Sequence, residues 1–189
     1  MAPLQKHWDY LESKQMNKFR ELYRADMARY GDKPGLFIAL FTFFFRKAQT
    51  VKHCLWVYKL GLYSLEKFRL LEIPRTCSIA GGCFFAHFQS ITINPLTIIG
   101  SNCTILKGVT IGMEMRGERR GCPTIGDNVY IGINATVVGK ITVGDDVLIA
   151  PNSFVNCYIP SHSVVFGNPC VIKHKDNATS GYHPGLNTI

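Results

Sequence analysis

No two cysteines in this chain stand in a CxxC spacing, and their number is odd: Cys54, Cys77, Cys83, Cys103, Cys122, Cys157 and Cys170. That leaves no disulfide framework to read and points to a reduced, cytoplasmic setting. A phosphate-cradling GxxxxGK[ST] is also missing, so nothing supports ATP use. The most apolar run, Leu36 to Phe45, holds ten residues and stops at Arg46 and Lys47, too short to cross a bilayer. The first 35 residues are largely charged and helical in character and do not read as a signal peptide. No Ser/Pro-rich linker divides the 189 residues, and a hydrophobic content of 47% supplies one sizeable core. Acid is scarce: 13 Asp/Glu face 21 Lys/Arg, and residues 1–72 carry 13 of the bases against 7 acids. No nucleic-acid motif accompanies that basic stretch, so it reads as a solvated face, or one that meets anionic lipid or glycan.

What the chain does have is a period. Ile125, Ile131, Val137, Val143, Ile149 and Val155 stand six positions apart without a break. An amphipathic helix repeats near 3.6 and an ordinary strand near 2, so neither fits. A six-residue period belongs to a β-helix, in which each rung turns one aliphatic inward and about three rungs close a coil. The fourth residue after each aliphatic is Val129, Ala135, Ile141, Val147, Ser153 or Ile159, all small or β-branched, as a short inward-packing strand requires. Upstream the register appears at Ile79, Phe85 and Ile91, slips by two, and resumes at Ile99, Ile105 and Ile111. The polar segment Met113–Cys122 interrupts it with two glycines and three arginines, and reads as a loop thrust out of a coil corner. Cys83 and Cys103 fall at the small inward position and read as core filler.

The expected fold is therefore mainly β: a left-handed parallel β-helix of hexapeptide repeats, about five coils, behind an α-helical N-terminal region. The expected organisation is a helical region over 1–72, a β-helix over 73–173 with its loop at 113–123, and a tail over 174–189 that drapes over the coils or frays. The apolar run Leu36 to Phe45 leads into FRKAQTVKHCLWVYKLGLYSLEKFRLL, which mixes bases with aromatics. They read first as a helical cap on the open end of the β-helix and on a neighbouring subunit. Peripheral membrane contact is the second reading.

The succession INPLTIIGSNCTILKGVTIG, the loop, PTIGDNVYIGINATVVGKITVGDDVLIAPNSFV and VVFGNP resembles the left-handed β-helix acyltransferases, in their serine O-acetyltransferase branch. RADMARYGDKP and LFTFFFRKAQ are similar to the helical lead-in of that branch. The resemblance implies a histidine general base oriented by an acidic residue fifteen positions earlier. His87 and Glu72 hold that spacing, with Glu where the family usually has Asp. The chemistry asks for such a pair, because an alcohol attacks a thioester poorly until an imidazole near its working pKa removes its proton. The resemblance further implies acetyl-CoA as donor, bound between subunits of a homotrimer or dimer of trimers. Its contacts fall near Ile133, Asn134, Pro151 and Asn152, with Lys173 for a phosphate. Pro151 offers no amide donor.

In the acceptor pocket the chain departs from the serine enzymes. Ala86 stands where they carry Asp, and Gly121 and Cys122 where they carry Arg and His. Loss of those charges, together with the Glu-Ile start and the Cys-Pro after the loop, resembles the acetyltransferases of colanic acid and capsular polysaccharide biosynthesis. The expected acceptor is accordingly a hydroxyl of a sugar or polysaccharide precursor, met by Arg116, Arg119, Arg120 and Cys122. The alternatives are the serine O-acetyltransferase reaction of cysteine biosynthesis and a non-catalytic scaffold. A zinc hydratase on the same fold needs three histidine ligands, and the repeat region holds only His87 and His162. No metal and no nucleic acid are expected.

Overall fold

The computed structural model describes residues 3–31, 34–51 and 55–186, with side chains from Ser13 onward. Cys54 lies outside the described residues. Three helices lead: α1 (Pro3–Ala28), α2 (Leu36–Thr50) and α3 (Leu55–Arg69). Fourteen short strands follow, numbered in chain order, and they stack on three faces.

The first face stacks β1 (Ser78–Ile79), β4 (Ile98–Ile99), β7 (Thr124–Ile125) and β10 (Thr142–Val143). The second stacks β2 (Phe84–Ala86), β5 (Thr104–Leu106), β8 (Tyr130–Ile131), β11 (Val147–Ile149) and β13 (Ser163–Phe166), closed by the antiparallel β14 (Val171–His174). The third stacks β3 (Thr92–Ile93), β6 (Thr110–Gly112), β9 (Thr136–Val138) and β12 (Phe154–Val155). Every other pairing is parallel, and each strand meets the strand one coil on, as in Thr92↔Thr110 and Thr124↔Thr142. This is the left-handed parallel β-helix. Four complete coils and part of a fifth are present. Its axis is a stack of aliphatics: Ile99, Ile105, Ile111, Ile125, Ile131, Val137, Val143, Ile149 and Val155 are all buried, as are Cys83 and Cys103. Such a core gains roughly 1.5–3 kcal/mol for each fully buried aliphatic side chain.

The two-residue slip lies elsewhere than the period suggests. Ile93, not Ile91, pairs in register with Ile111. Ile91 occupies the second inward place, held one coil on by Val109, and both isoleucines are buried. The extra two residues are therefore His87 and Phe88, at the turn between the second and third faces. The rungs also begin earlier than residue 73. Leu71 and Ile73 are buried like Ile91 and Ile93, and Glu72 bridges in parallel to Thr92. Chain that has just left α3 thus adds a partial rung beneath the first coil.

The helices cap that end. The Arg46 guanidinium, 1% exposed, binds both carboxylate oxygens of Asp26 at 2.7 and 3.0 Å and donates to the carbonyls of Ile79 and Ala80. The Asp26 carboxylate in turn accepts the amides of Gly82 and Cys83. Phe41 of α2 stacks edge-on against Phe88 at 4.6 Å and packs near Phe85. Gly61 of α3 has the Phe44 ring where a Cβ would sit, so only glycine lets α2 and α3 approach so closely. Among the described residues no helix is long and apolar enough to cross a membrane.

The tail drapes. Asp146 accepts the Thr179 hydroxyl at 2.7 Å and the amides of Ala178 and Thr179. His183 is buried between the Thr104 hydroxyl (2.9 Å) and the Asn128 carbonyl (3.0 Å), and Arg29 of the segment after α1 reaches the Pro184 carbonyl.

Candidate functional site

One corner of the β-helix, between the second and third faces, gathers His87, Ile133, Asn134, Pro151 and Asn152. Each turn there places a residue at positive φ, bonded through its amide to the preceding coil. Ser90 donates to the Arg69 carbonyl, Gly108 to Gln89, Asn134 to Lys107 and Asn152 to Ile133, at 2.9–3.1 Å. Leu70, at φ 54°, starts the same column at the end of α3. The sequence meets the left-handed requirement with Gly108, Asn134 and Asn152, residue types that tolerate it, and with Ser90 in the first coil. Asn134 and Asn152 thus spend their amides on the ladder. What the corner offers a ligand is the carbonyls that the ladder leaves over and a stack of turns, Lys107-Gly108, Ile133-Asn134 and Pro151-Asn152, above His87.

His87 heads this column as part of the two-residue insertion. Its backbone lies at φ 50°. Phe88 turns inward to pack on Phe41, Phe85 and Phe37, while His87 turns outward and is exposed. The insertion therefore anchors itself with one ring and presents the other. Glu72 is exposed on the third face, in the strand position beside Thr92. His87 and Glu72 thus share one end of one face, but among the described residues neither side chain makes a hydrogen bond or ion pair. Ala86 ends β2 immediately before His87.

Arg116, Arg119, Arg120 and Cys122 lie at the next corner, between the third and first faces. Met113–Cys122 leaves the coil after β6 as expected and folds into a ribbon, with Glu114 and Gly121 exchanging backbone bonds at 3.0 Å. Lys140 of the following coil fixes it by donating its amide to the Arg119 carbonyl at 2.8 Å. All three arginines are exposed. A recess of about 330 Å³ is lined by Glu114, Arg116, Gly117, Glu118 and Arg119, so acids accompany the bases. The Cys122 thiol donates to the Asn94 side-chain oxygen at 3.1 Å, and burial pushes its pKa up, keeping it a neutral thiol. Lys173 stands apart on β14, its ammonium 5.6 Å from the centre of the Phe166 ring. Of the substrate and cofactor candidates, then, Ile133, Asn134, Pro151 and Asn152 share the His87 corner, and the loop residues and Lys173 do not.

His162 is on the remaining corner, where its Nδ1 meets Asp146 at 2.8 Å. It cannot share a metal with His87 across the coil. Among the described residues no three His, Cys, Asp or Glu side chains are grouped to hold a metal ion. Sequence reasoning missed the tail contacts of Asp146 and His183, for which no periodic signal exists.

Comparison with known proteins agrees with this geometry. Residues 122–157 match the bacterial transferase hexapeptide family (six repeats). A serine acetyltransferase of Staphylococcus xylosus is 33% identical over 144 residues, covering 68% of this chain and 67% of that one. A serine acetyltransferase of Helicobacter pylori is 36% identical over 106 residues, covering 56% and 62%. The chain thus spans about two thirds of the first relative and less of the second. Among solved structures, soybean serine acetyltransferase complexed with serine superposes with a TM-score of 0.70 at 25% identity, over 83% of this chain and 70% of that one. Serine acetyltransferase 1 of Entamoeba histolytica in complex with L-cysteine gives 0.63 at 27% identity, over 82% and 63%. These relatives overturn the expectation of a sugar or polysaccharide acceptor, and they give the capsular polysaccharide branch no support. The physical weakness of that expectation is visible in the site. Ala86 lies at one corner, and Gly121 and Cys122 at another beside Arg116, Arg119 and Glu114, so within one chain the three positions do not bound a single pocket and do not by themselves set its charge.

Proposed function

Because the chain belongs to the serine acetyltransferase family of hexapeptide-repeat acyltransferases, we propose that it transfers an acetyl group from acetyl-CoA to the hydroxyl of L-serine. The observation that carries this reading is the corner column, which sets an exposed, anchored histidine beneath a continuous shelf of turn residues. His87 takes the proton from the acceptor hydroxyl, and the freed oxygen attacks the thioester carbonyl. Carbon–sulfur cleavage then releases the thiolate of CoA, which the His87 imidazolium protonates. Glu72 is the positioning residue: across one end of the third face it fixes the imidazole tautomer and offsets its charge once the proton is taken. Acetyl-CoA enters as a co-substrate and supplies the activated carbonyl. Ile133, Asn134, Pro151 and Asn152 line its path through backbone and side-chain oxygens, and Lys173 receives a phosphate. Arg116, Arg119 and Arg120, which stand at another corner of their own chain, approach the acceptor carboxylate from the ribbon of a neighbouring subunit, where Cys122 shapes the pocket as a neutral thiol. Transfer is direct, so no acetyl group rests on Cys122.

We take the assembly to be a homotrimer in the cytoplasm, with sites between subunits. The test is CoA release from acetyl-CoA by the whole chain across free amino acids. Release stimulated by L-serine above all other amino acids supports the reading, and an identical background rate with and without L-serine refutes it.

A further inference from the structure

The helical cap leaves one face uncovered. The inner side of α3 is taken up by α2: Leu62 is buried and Gly61 meets the Phe44 ring, while Phe68, 6.3 Å from Phe37, stays 76% exposed at the edge of the uncovered face. The outer side carries Trp56 (70% exposed), Leu60 (60%) and Tyr63 (58%) at helical spacing. Leu36 of α2 and Leu70 just beyond α3 extend the apolar surface, at 76% and 67% exposed. Monomeric soluble surfaces rarely gather large apolar side chains in this way unless something covers them.

The charges around the patch identify the cover. Lys59 and Lys67 are exposed on the same side of α3, with the Lys67 ammonium 5.5 Å from the Tyr63 ring centre. Across α2 and α3 the single acidic residue is Glu66, and it is half-buried. A second copy docking through the same face of α3 would bring two pairs of lysines together, and neither α2 nor α3 holds an exposed carboxylate to meet them. An anionic lipid surface meets both requirements at once: its acyl boundary covers the apolar side chains, and its headgroups pair the ammoniums. Trp and Tyr suit that boundary, since each has an apolar body and a polar tip, and lysines reach the headgroups along their own apolar stems.

We propose that the outer face of α3, with Trp56, Leu60 and Tyr63 at its centre and Lys59 and Lys67 beside them, docks the protein peripherally on an anionic membrane surface.

The test is sedimentation of the full chain with vesicles of phosphatidylcholine alone and with phosphatidylglycerol added, at constant salt. Binding to the anionic vesicles, weak or absent on the neutral ones, is expected. Lys59→Gln with Lys67→Gln should weaken it roughly thirtyfold, at about 1 kcal/mol for each lysine near the surface. Trp56→Ser with Leu60→Ser should abolish it, with circular dichroism and molar mass unchanged as proof of folding. Failure to sediment with anionic vesicles, sedimentation that both double variants retain, or a halving of the molar mass in the serine variant would each overturn the proposal. The last outcome would assign the face to a second assembly of this chain.

Discussion

His87 owes its position to a residue it does not resemble. Phe88, the other half of the two-residue insertion, is 6% exposed and wedged among Phe41, Phe85 and Phe37. Truncating it empties an aromatic pocket under the turn. Phe88→Ala should cost about 3–5 kcal/mol of stability, read as a lower denaturant midpoint, and at temperatures where the variant is folded its turnover should fall while acetyl-CoA affinity changes little. On the proposed mechanism Glu72 acts through His87 rather than on the substrate. Glu72→Gln should therefore lower turnover by roughly tenfold, less than loss of a general base itself, and Glu72→Asp should recover part of it. His87 and Glu72 were singled out in the sequence by a fifteen-residue spacing that matches the family pattern. Their geometric relation was not legible, because the hexapeptide period places Ile91 in phase, and only strand pairing shows Ile93 in that place and His87 in the bulge.

At the scale of elements, the period read the coils and the loop well, since each inward aliphatic has the same neighbours one coil above and below. The tail had no such signal. Its anchors are polar, and polar contacts between distant segments leave no periodic trace. Burial pushes the Asp146 carboxyl up, but bonds from the Thr179 hydroxyl and amide, His162 and the Ala178 amide outweigh it and hold it below the usual carboxylate range. His183 is pushed below the ordinary histidine value, chiefly by burial. Both folded values are depressed, so both contributions are present at neutral pH and fade on acidification. The His183 contribution declines first, as pH falls below the ordinary histidine value of about 6.5, and the Asp146 contribution follows below about 4. The protection factors of amides 177–186, with the intrinsic slowing of exchange on acidification divided out, should fall between pH 7 and pH 5, and His183→Gln, which takes away the titrating ring, should remove much of that dependence. The helical cap, by contrast, was legible from composition, although the buried Asp26–Arg46 pair that locks it was not.

For the whole molecule, the column of turn residues lies open along one corner of the β-helix, and the proposed function makes it one wall of a cofactor groove whose other wall a second subunit would supply. Light scattering should then give a mass three or six times the 21.2 kDa chain, and active protein of single-chain mass would refute the shared groove. The acceptor was the least legible part: it was inferred from Ala86, Gly121 and Cys122, whereas specificity is a sum over a whole pocket and over its partner subunit. The account stands or falls on His87. Serine-dependent CoA release should drop by about a hundredfold to ten-thousandfold in His87→Ala with acetyl-CoA affinity nearly unchanged, and release in that variant at close to the wild-type rate would contradict it.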